Sequence, residues 1–220
     1  MKYTNDSNRL ITSTKPEELM LHEALAAYDS TKTQGEYTIE DYYALPDEPR
    51  MELIDGVLYA MGAPTRTHQE IAVELVVAFR NYIKGKGGKC RAYVAPYDVQ
   101  LDCDDKTMVQ PDVMIICDRN KLRNEKNVYG NPDFIAEVLS PSSRKKDTQI
   151  KSRKYKNAGV REYWTIDPMR RRIVVHDFVS GQSAIYGFTD KIPVGIFDGD
   201  LLIDFAEINQ MIDDLFEADE

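Results

Sequence analysis

Two acidic residues stand inside or beside continuously apolar stretches, and they are the first candidates for chemistry. Glu137 lies within Phe134-Ile-Ala-Glu-Val-Leu139, and Asp112 opens the run Val113-Met-Ile-Ile-Cys117 directly after Pro111. Burying a carboxylate is costly unless it is paired with a cation, hydrogen-bonded or bound to a metal. If the two runs form neighbouring strands, both carboxylates converge on one site.

Such a pair of carboxylates suits a hard divalent cation. Mg²⁺ is commonly bound by one or two carboxylates together with waters and the phosphate oxygens of a substrate. The bound ion polarises a phosphate and supplies hydroxide near neutral pH. The residues therefore favour phosphodiester hydrolysis. The structural alternative is a strand-end cap or a buried ion pair, which fits Asp112 better than Glu137.

The surrounding sequence predicts the elements that must position this pair. Thr38 can cap a short helix, Asp55-Gly56 suits a tight hairpin within residues 51–60, and Thr67 with Glu70 forms a capping box. Strands are expected at 90–94, 97–101, 113–117, 134–139 and 160–166. Helices are expected at 67–84, 147–158 and 204–216. Shorter β elements are expected between 171 and 203.

The order of these elements predicts a mixed α/β (α+β) fold with a central β-sheet flanked by helices. The apolar runs 113–117 and 134–139 should be central strands covered on both faces. Residues 1–36, with a short helix expected over 17–28, are interpreted as an N-terminal extension, and residues 37–220 as a single domain.

The composition is typical of a globular protein, with 42% hydrophobic and 30% charged residues. No signal sequence opens the chain, and no apolar stretch approaches the ~20 residues of a membrane-spanning helix. The cysteines at 90, 103 and 117 show no metal-binding spacing. We therefore expect a cytoplasmic protein with free thiols and no membrane partner.

Charge is distributed unevenly along the chain. A formal net charge of -9 argues against general polyanion binding. The segment from Arg144 to Arg172, however, contains eleven lysines and arginines but only three acidic residues. This segment could focus DNA onto one face of the protein, or it could be a solvated helix face.

Several motifs in combination resemble the Uma-two family of restriction-endonuclease-like proteins, within the PD-(D/E)XK nuclease superfamily. The match spans residues 38–178 and comprises Pro111-Asp112, Glu137-Val-Leu-Ser-Pro-Ser-Ser143, Glu52-Leu-Ile-Asp-Gly56, Thr67-His68, Asp147-x-x-x-Lys151-x-x-x-Tyr155, and Gly159-Val-Arg-Glu-Tyr-Trp164 with Asp167-Pro168. The resemblance implies a restriction-endonuclease-like αβββαβ core and an endodeoxyribonuclease that hydrolyses DNA. It also implies a Mg²⁺ cofactor, replaceable by Mn²⁺, on Asp112 and Glu137.

One departure from the superfamily pattern concerns the lysine two residues after the acid. That position is Leu139, which can neither stabilise a developing phosphate charge nor orient a water. The resemblance allows this lysine to migrate to the next helix. Lys151 is the predicted substitute and Lys154 the alternative, because Asp147, Lys151 and Tyr155 share one helical face.

The resemblance adds Glu52 as a third acid and metal ligand, although by spacing alone it could be an ordinary strand residue. His68 could orient a water or a phosphate from a helix N-terminus, or simply neighbour the cap. Gln100 resembles a polar residue that some of these nucleases place beside the metal. Ser140 could fix the turn that presents the helix.

Two functions follow from these residues. The first is a metal-dependent nuclease that acts on DNA through Asp112, Glu137, Glu52 and Lys151. A homodimer of such a nuclease would be suited to cutting both DNA strands. The second is a catalytically inactive relative that binds nucleic acid or protein, which Leu139 and the overall acidity favour. Glycoside hydrolysis lacks a sugar-binding aromatic platform, and no nucleophile elbow supports a serine hydrolase.

Overall fold

Six strands form the central sheet of the protein. The structure, a computed structural model, describes residues 19, 31–101 and 104–217. Apart from residue 19, the helix expected over 17–28 lies outside the described residues, as does Cys103. The strands are β3 (Arg91–Val94), β5 (Val113–Ile116), β7 (Phe134–Val138), β8 (Glu162–Asp167), β9 (Arg172–Asp177) and β10 (Gln182–Gly187). Their order is β10-β9-β8-β7-β5-β3, with β7 and β8 parallel and the other neighbours antiparallel.

Three small strand pairs and several helices surround this sheet. The pairs are the hairpin β1 (Met51–Ile54) and β2 (Val57–Ala60), the parallel pair β4 (Asp98–Gln100) and β6 (Asn127–Tyr129), and β11 (Lys191–Pro193) with β12 (Leu202–Asp204). The α-helices are α1 (Ile39–Ala44), α2 (Arg66–Gly85), α3 (Ser152–Ala158) and α4 (Phe205–Glu217), and a π-helical segment, Lys146–Lys151, leads into α3. The predicted mixed α/β fold with a central sheet and flanking helices is confirmed.

The central strands are covered on both faces, as their apolar runs predict. Successive side chains of a strand point to opposite faces. Val113 and Phe134 pack in the cluster that includes α2 and α4, whereas Met114 and Ile135 pack with Tyr155 of α3. The α3 side of the sheet is the side on which the candidate site forms.

Two local predictions are wrong. Helix α2 begins at Arg66 with Thr65 as its N-cap, whose Oγ1 accepts a hydrogen bond from the N–H of His68, so the capping box of Thr67 and Glu70 does not form. Cys90 and Cys117 are joined in a disulfide rather than free. The β3–β5 register pairs Arg91 with Ile116, so the two cysteines occupy the next opposed positions.

In the part of the chain that the structure describes, no helix combines the length and apolarity required to cross a bilayer.

Gly56 should not tolerate a side chain. It lies at φ 76° in the β1–β2 turn, and a Cβ there would stand 2.4 Å from the carbonyl oxygen of Gly35. We expect Gly56→Ala to lower the free energy of unfolding by at least about 1–3 kcal/mol, the cost of strained backbone at a non-glycine residue. Urea denaturation measures the change.

Gly85→Ala provides the control for this substitution. Gly85 ends α2, and open space surrounds the position of its Cβ. Alanine there should be neutral or stabilise by up to about 1 kcal/mol. Equal losses in the two variants would contradict the account of Gly56.

Candidate active site

Asp112 and Glu137 face each other across the β5–β7 pair. The register joins Val113 to Ala136, so the next antiparallel position sets Asp112 opposite Glu137. Both side chains belong to the sheet face of Ile135, which α3 covers. The structure therefore brings the two predicted carboxylates together.

Asp112 is fixed through one of its two oxygens. Its Oδ2 accepts a hydrogen bond of 2.8 Å from the N–H of Val138 and lies 3.0 Å from Nε2 of His68. His68 approaches from the first turn of α2, and its Nδ1 is buried without a hydrogen-bond partner among the described residues. No described residue donates a hydrogen bond to Oδ1 of Asp112, which leaves this oxygen for a ligand.

Glu137 is also held through a single oxygen. Its Oε1 accepts hydrogen bonds from Nζ of Lys151 at 2.8 Å and from the Tyr155 hydroxyl at 2.7 Å, whereas Oε2 receives none from the described residues. Burial raises the pKa of Glu137 well above its usual value. Asp112 and Asp147 raise this pKa further, and the Lys151 ammonium opposes them.

Lys151 lies at the centre of a cluster of carboxylates. Its side chain is only 2% exposed, and Nζ lies 2.6 Å from Glu52 Oε1, 2.8 Å from Glu137 Oε1 and 3.6 Å from Asp147 Oδ1. Burial lowers the pKa of Lys151, but the three carboxylates outweigh burial and raise it well above its usual value. Lys151 is therefore a charged ammonium inside the protein.

Glu52 is fully buried on β1 and engages two lysines. Oε1 lies beside Lys151 and accepts a hydrogen bond from the N–H of Gln110 at 3.0 Å, while Oε2 accepts one from Nζ of Lys146 at 2.6 Å. Burial raises the pKa of Glu52, but Lys146 and Lys151 outweigh it and bring the pKa to about 2. Each of its oxygens already contacts a lysine. The role of Glu52 as a metal ligand stays a prediction.

A π-helical turn directs both lysines toward Glu52. Lys146 and Lys151 are the first and last residues of the π segment, and the N–H of Ser152 bonds to the carbonyl of Asp147, five residues earlier. Residues five apart stack in a π-turn, whereas they diverge in an α-helix. The helix expected over 147–158 thus differs in its first half, where the wider turn lets two ammonium groups reach one carboxylate.

The other residues named from sequence lie farther from this cluster or support it indirectly. Lys154, the alternative lysine, has its Nζ 2.8 Å from Asp55 Oδ1 in the hairpin turn. Gln100 donates a hydrogen bond to the carbonyl of Asp104 and does not line the cleft that holds Asp112. The Ser140 hydroxyl accepts a hydrogen bond from the N–H of Ser143, which fixes the turn before the π segment.

Lys146 was not predicted from the sequence. It precedes Asp147 in a basic run, and α-helical spacing would turn it away from Lys151. The available signal was the buried acid on the hairpin, Glu52, which needs more than one partner to satisfy both oxygens.

A cleft of about 1290 Å³ opens beside the cluster. Asp112 and Glu137 line it together with Lys146 and Lys151. The cleft is also lined by His68, Ser140, Lys145, Arg50, Arg171 and Met169. Acids, cations and hydroxyl groups thus surround one opening that could accept a phosphodiester.

The donor set fits a hard divalent cation bound by two carboxylates. Asp112 Oδ1 and Glu137 Oε2 are the oxygens without hydrogen bonds from described residues, and both residues line the same cleft. Throughout the described ranges, no group of three or more His, Cys, Asp or Glu side chains converges to enclose an ion. Mg²⁺ does not require such a cage, because waters and substrate oxygens complete its coordination.

Comparison with protein families gives a match over most of this region. The model of the Uma2 family, described as "putative restriction endonuclease", matches residues 39–195. This chain belongs to the Uma2 family. The matched range contains both carboxylates, Glu52, Lys146 and Lys151.

The proteins that resemble this Uma2 chain include one from Synechocystis and one from Anabaena. An uncharacterized protein of Synechocystis sp. is 33% identical over 105 residues, which are 47% of this chain and 53% of that protein. The crystal structure of a "putative nuclease belonging to DUF820" from Anabaena variabilis ATCC 29413 matches with a TM-score of 0.65 and 20% identity, covering 78% of this chain and 96% of that one. The second match shows a shared fold, and the first spans about half of the relative.

Removing Lys151 should destabilise this Uma2 protein. Lys151→Met leaves Glu52, Glu137 and Asp147 buried without their shared cation. Breaking a buried ion pair by removing one partner costs about 3–5 kcal/mol. We expect a loss of this size in the free energy of unfolding, measured by urea denaturation.

Lys156→Met is the matched control, because Lys156 lies exposed on the same helix. A surface substitution of this kind changes stability by about 0.5 kcal/mol or less. The double variant Lys151→Met/Glu137→Gln should recover part of the loss, since it removes one of the unpaired charges. A loss in Lys151→Met no larger than that in Lys156→Met would contradict the central role of Lys151.

Proposed function

We propose that this Uma2 protein is a Mg²⁺-dependent endodeoxyribonuclease that also accepts Mn²⁺. The observation that carries the proposal is the contact between Lys151 Nζ and Glu137 Oε1 at 2.8 Å. It supplies a lysine to the carboxylate pair although the strand position two residues after Glu137 is Leu139. A lysine that lies beside the two carboxylates supports the proposal.

Asp112 and Glu137 would hold the metal through Oδ1 and Oε2, the oxygens that the protein leaves without hydrogen bonds. When bound, the ion polarises the phosphate and supplies hydroxide near neutral pH.

The surrounding residues keep these two carboxylates ready. Lys151 and the Tyr155 hydroxyl hold Oε1 of Glu137, so its second oxygen points away from them. His68 and the N–H of Val138 hold Oδ2 of Asp112 in the same way. Each acid thus has one oxygen fixed by the protein and one available, which is the arrangement that an open metal site needs.

DNA is the proposed substrate because cations accompany the carboxylates in the cleft. Lys145, Lys146 and Arg171, from the basic segment identified in the sequence, line the cleft together with Arg50. Phosphate contacts of this kind supply most of the affinity of nonspecific DNA binding. Family membership supports the same substrate class.

The alternative is a catalytically inactive Uma2 protein that binds nucleic acid or protein. It is favoured by the enclosure of Lys151 Nζ, which three carboxylates surround. A lysine in that position forms ion pairs with the protein's own carboxylates rather than with a substrate.

Nicking of supercoiled plasmid DNA with Mg²⁺ or Mn²⁺ tests the proposal. We expect Asp112→Asn and Glu137→Gln to reduce the rate about 100-fold or more, because metal stabilisation of the transition state amounts to several kcal/mol. Both variants should also bind Mn²⁺ more weakly by isothermal titration calorimetry.

Lys89→Met is the control for both measurements, since Lys89 is exposed and does not line the cleft. It should nick DNA and bind Mn²⁺ like the wild type. Nicking at equal rates by all four proteins would remove these carboxylates from the reaction. DNA binding by the wild type without any nicking would support the inactive alternative.

A further inference from the structure

The buried lysine is enclosed by acids of the protein itself. Its Nζ donates a hydrogen bond to Glu137 Oε1 at 2.8 Å and lies 2.6 Å from Glu52 Oε1, with Asp147 Oδ1 farther away at 3.6 Å. Its side chain is 2% exposed. A phosphate that approached through the cleft would therefore meet a cation already neutralised by Glu52, Glu137 and Asp147.

The second lysine of the π segment is more exposed and lies beside fewer acids. The side chain of Lys146 is 14% exposed, and Lys146 lines the cleft, as Lys151 does. Among the described residues, its Nζ donates a hydrogen bond to Glu52 Oε2 alone, which leaves two N–H donors. The ammonium also makes a cation–π contact with the ring of Tyr59, whose centroid lies 5.6 Å from Nζ.

We propose that Lys146, rather than Lys151, is the lysine that contacts the phosphate of the DNA substrate. Lys146 lines the same cleft as Asp112 and Glu137. Lysine binds phosphate as a point charge and needs no bidentate geometry. The inference rests on the proposed function for the identity of the substrate, but not for the position of Lys146.

Glu52 can release part of its hold on Lys146 without being left unpaired. It keeps Lys151 at 2.6 Å and the N–H of Gln110 at 3.0 Å on Oε1. Lys146 can therefore share its charge between Glu52 and a phosphate. Lys145, the exposed neighbour that also lines the cleft, has no ion pair with the acids of the cluster in the part of the chain that the structure describes, and it is a surface charge.

The experiment separates phosphate contact from support of Glu52. A fluorescein-labelled DNA duplex is titrated with wild type, Lys146→Met and Lys89→Met in Ca²⁺ at several salt concentrations. Neutralising one phosphate contributes about 0.9 to the slope of log affinity against log salt. We expect Lys146→Met to reduce the slope by about that amount and Lys89→Met to leave it unchanged.

Nicking in Mn²⁺ provides the second readout. Lys146→Met should lower kcat about 100-fold, the effect of losing one preorganised donor to a developing charge. Its affinity for Mn²⁺ should stay at the wild-type value, because Asp112 and Glu137 are intact. Lys146→Arg should restore most of the salt slope, which a purely structural role would not require.

Failure of the inference about Lys146 can be told apart from failure of the proposed nuclease function. If the wild type binds the duplex but does not nick DNA, the nuclease proposal fails and the salt slope still decides the role of Lys146. A wild-type slope in Lys146→Met, or no binding by the wild type, overturns the inference. Should Lys146→Met fail to fold, Lys146→Gln replaces it, since glutamine keeps an N–H donor for Glu52 and removes the charge.

Discussion

One buried ammonium group holds the site together. Lys151 Nζ lies between oxygens of Glu52, Glu137 and Asp147, which come from a hairpin, a central strand and the π segment. Unpaired buried carboxylates are costly enough that such groups normally lose their charge. All three carboxylates lie beside this one cation, so moving the hairpin, the strand or the π segment would break a buried ion pair. The buried charge therefore links the packing of the hairpin and the helix to the chemistry of the central strands.

The backbone arranges the remaining groups around this cation. Antiparallel pairing of β5 and β7 sets Asp112 opposite Glu137. The hairpin is fixed to the segment before Asp112 by two backbone hydrogen bonds between Leu53 and Met108, which place Glu52 over the same face. The π-turn then adds a second lysine to the first. The strand pairing, the two hairpin hydrogen bonds and the π-turn are all hydrogen-bonding patterns of the main chain. The backbone therefore positions the side chains of the site.

The parts of this arrangement that follow from local sequence were predictable, and the parts that follow from long-range pairing were not. The apolar runs around Asp112 and Glu137 indicated buried central strands, and helical spacing put Lys151 on the inner face of its helix. A π-turn adds a single residue to a helix, and one added residue does not change the spacing of apolar residues in a recognisable way. The sequence therefore did not indicate that Lys146 lies beside Lys151. The disulfide joins Cys90, just before β3, to Cys117, just after β5, and only the register of these two strands brings the positions together. The metal-ligand role of Glu52 and the domain boundary at residue 36 stay predictions.

Supplying the lysine from a helix rather than from the strand changes what that lysine can do. Position 139 directly follows β7, and Leu139 there is buried with its N–H bonded to the carbonyl of Ile166. A helix-borne lysine reaches Glu137 only by passing among other acids, and its charge is shared with them. Within the buried cluster, four carboxylates (Glu52, Asp112, Glu137 and Asp147) lie near two lysines (Lys146 and Lys151). A surplus of buried carboxylates is an environment that suits a divalent cation. Under the proposed function, the carboxylates would hold the metal, and the cation that meets the phosphate would come from outside the strand pattern.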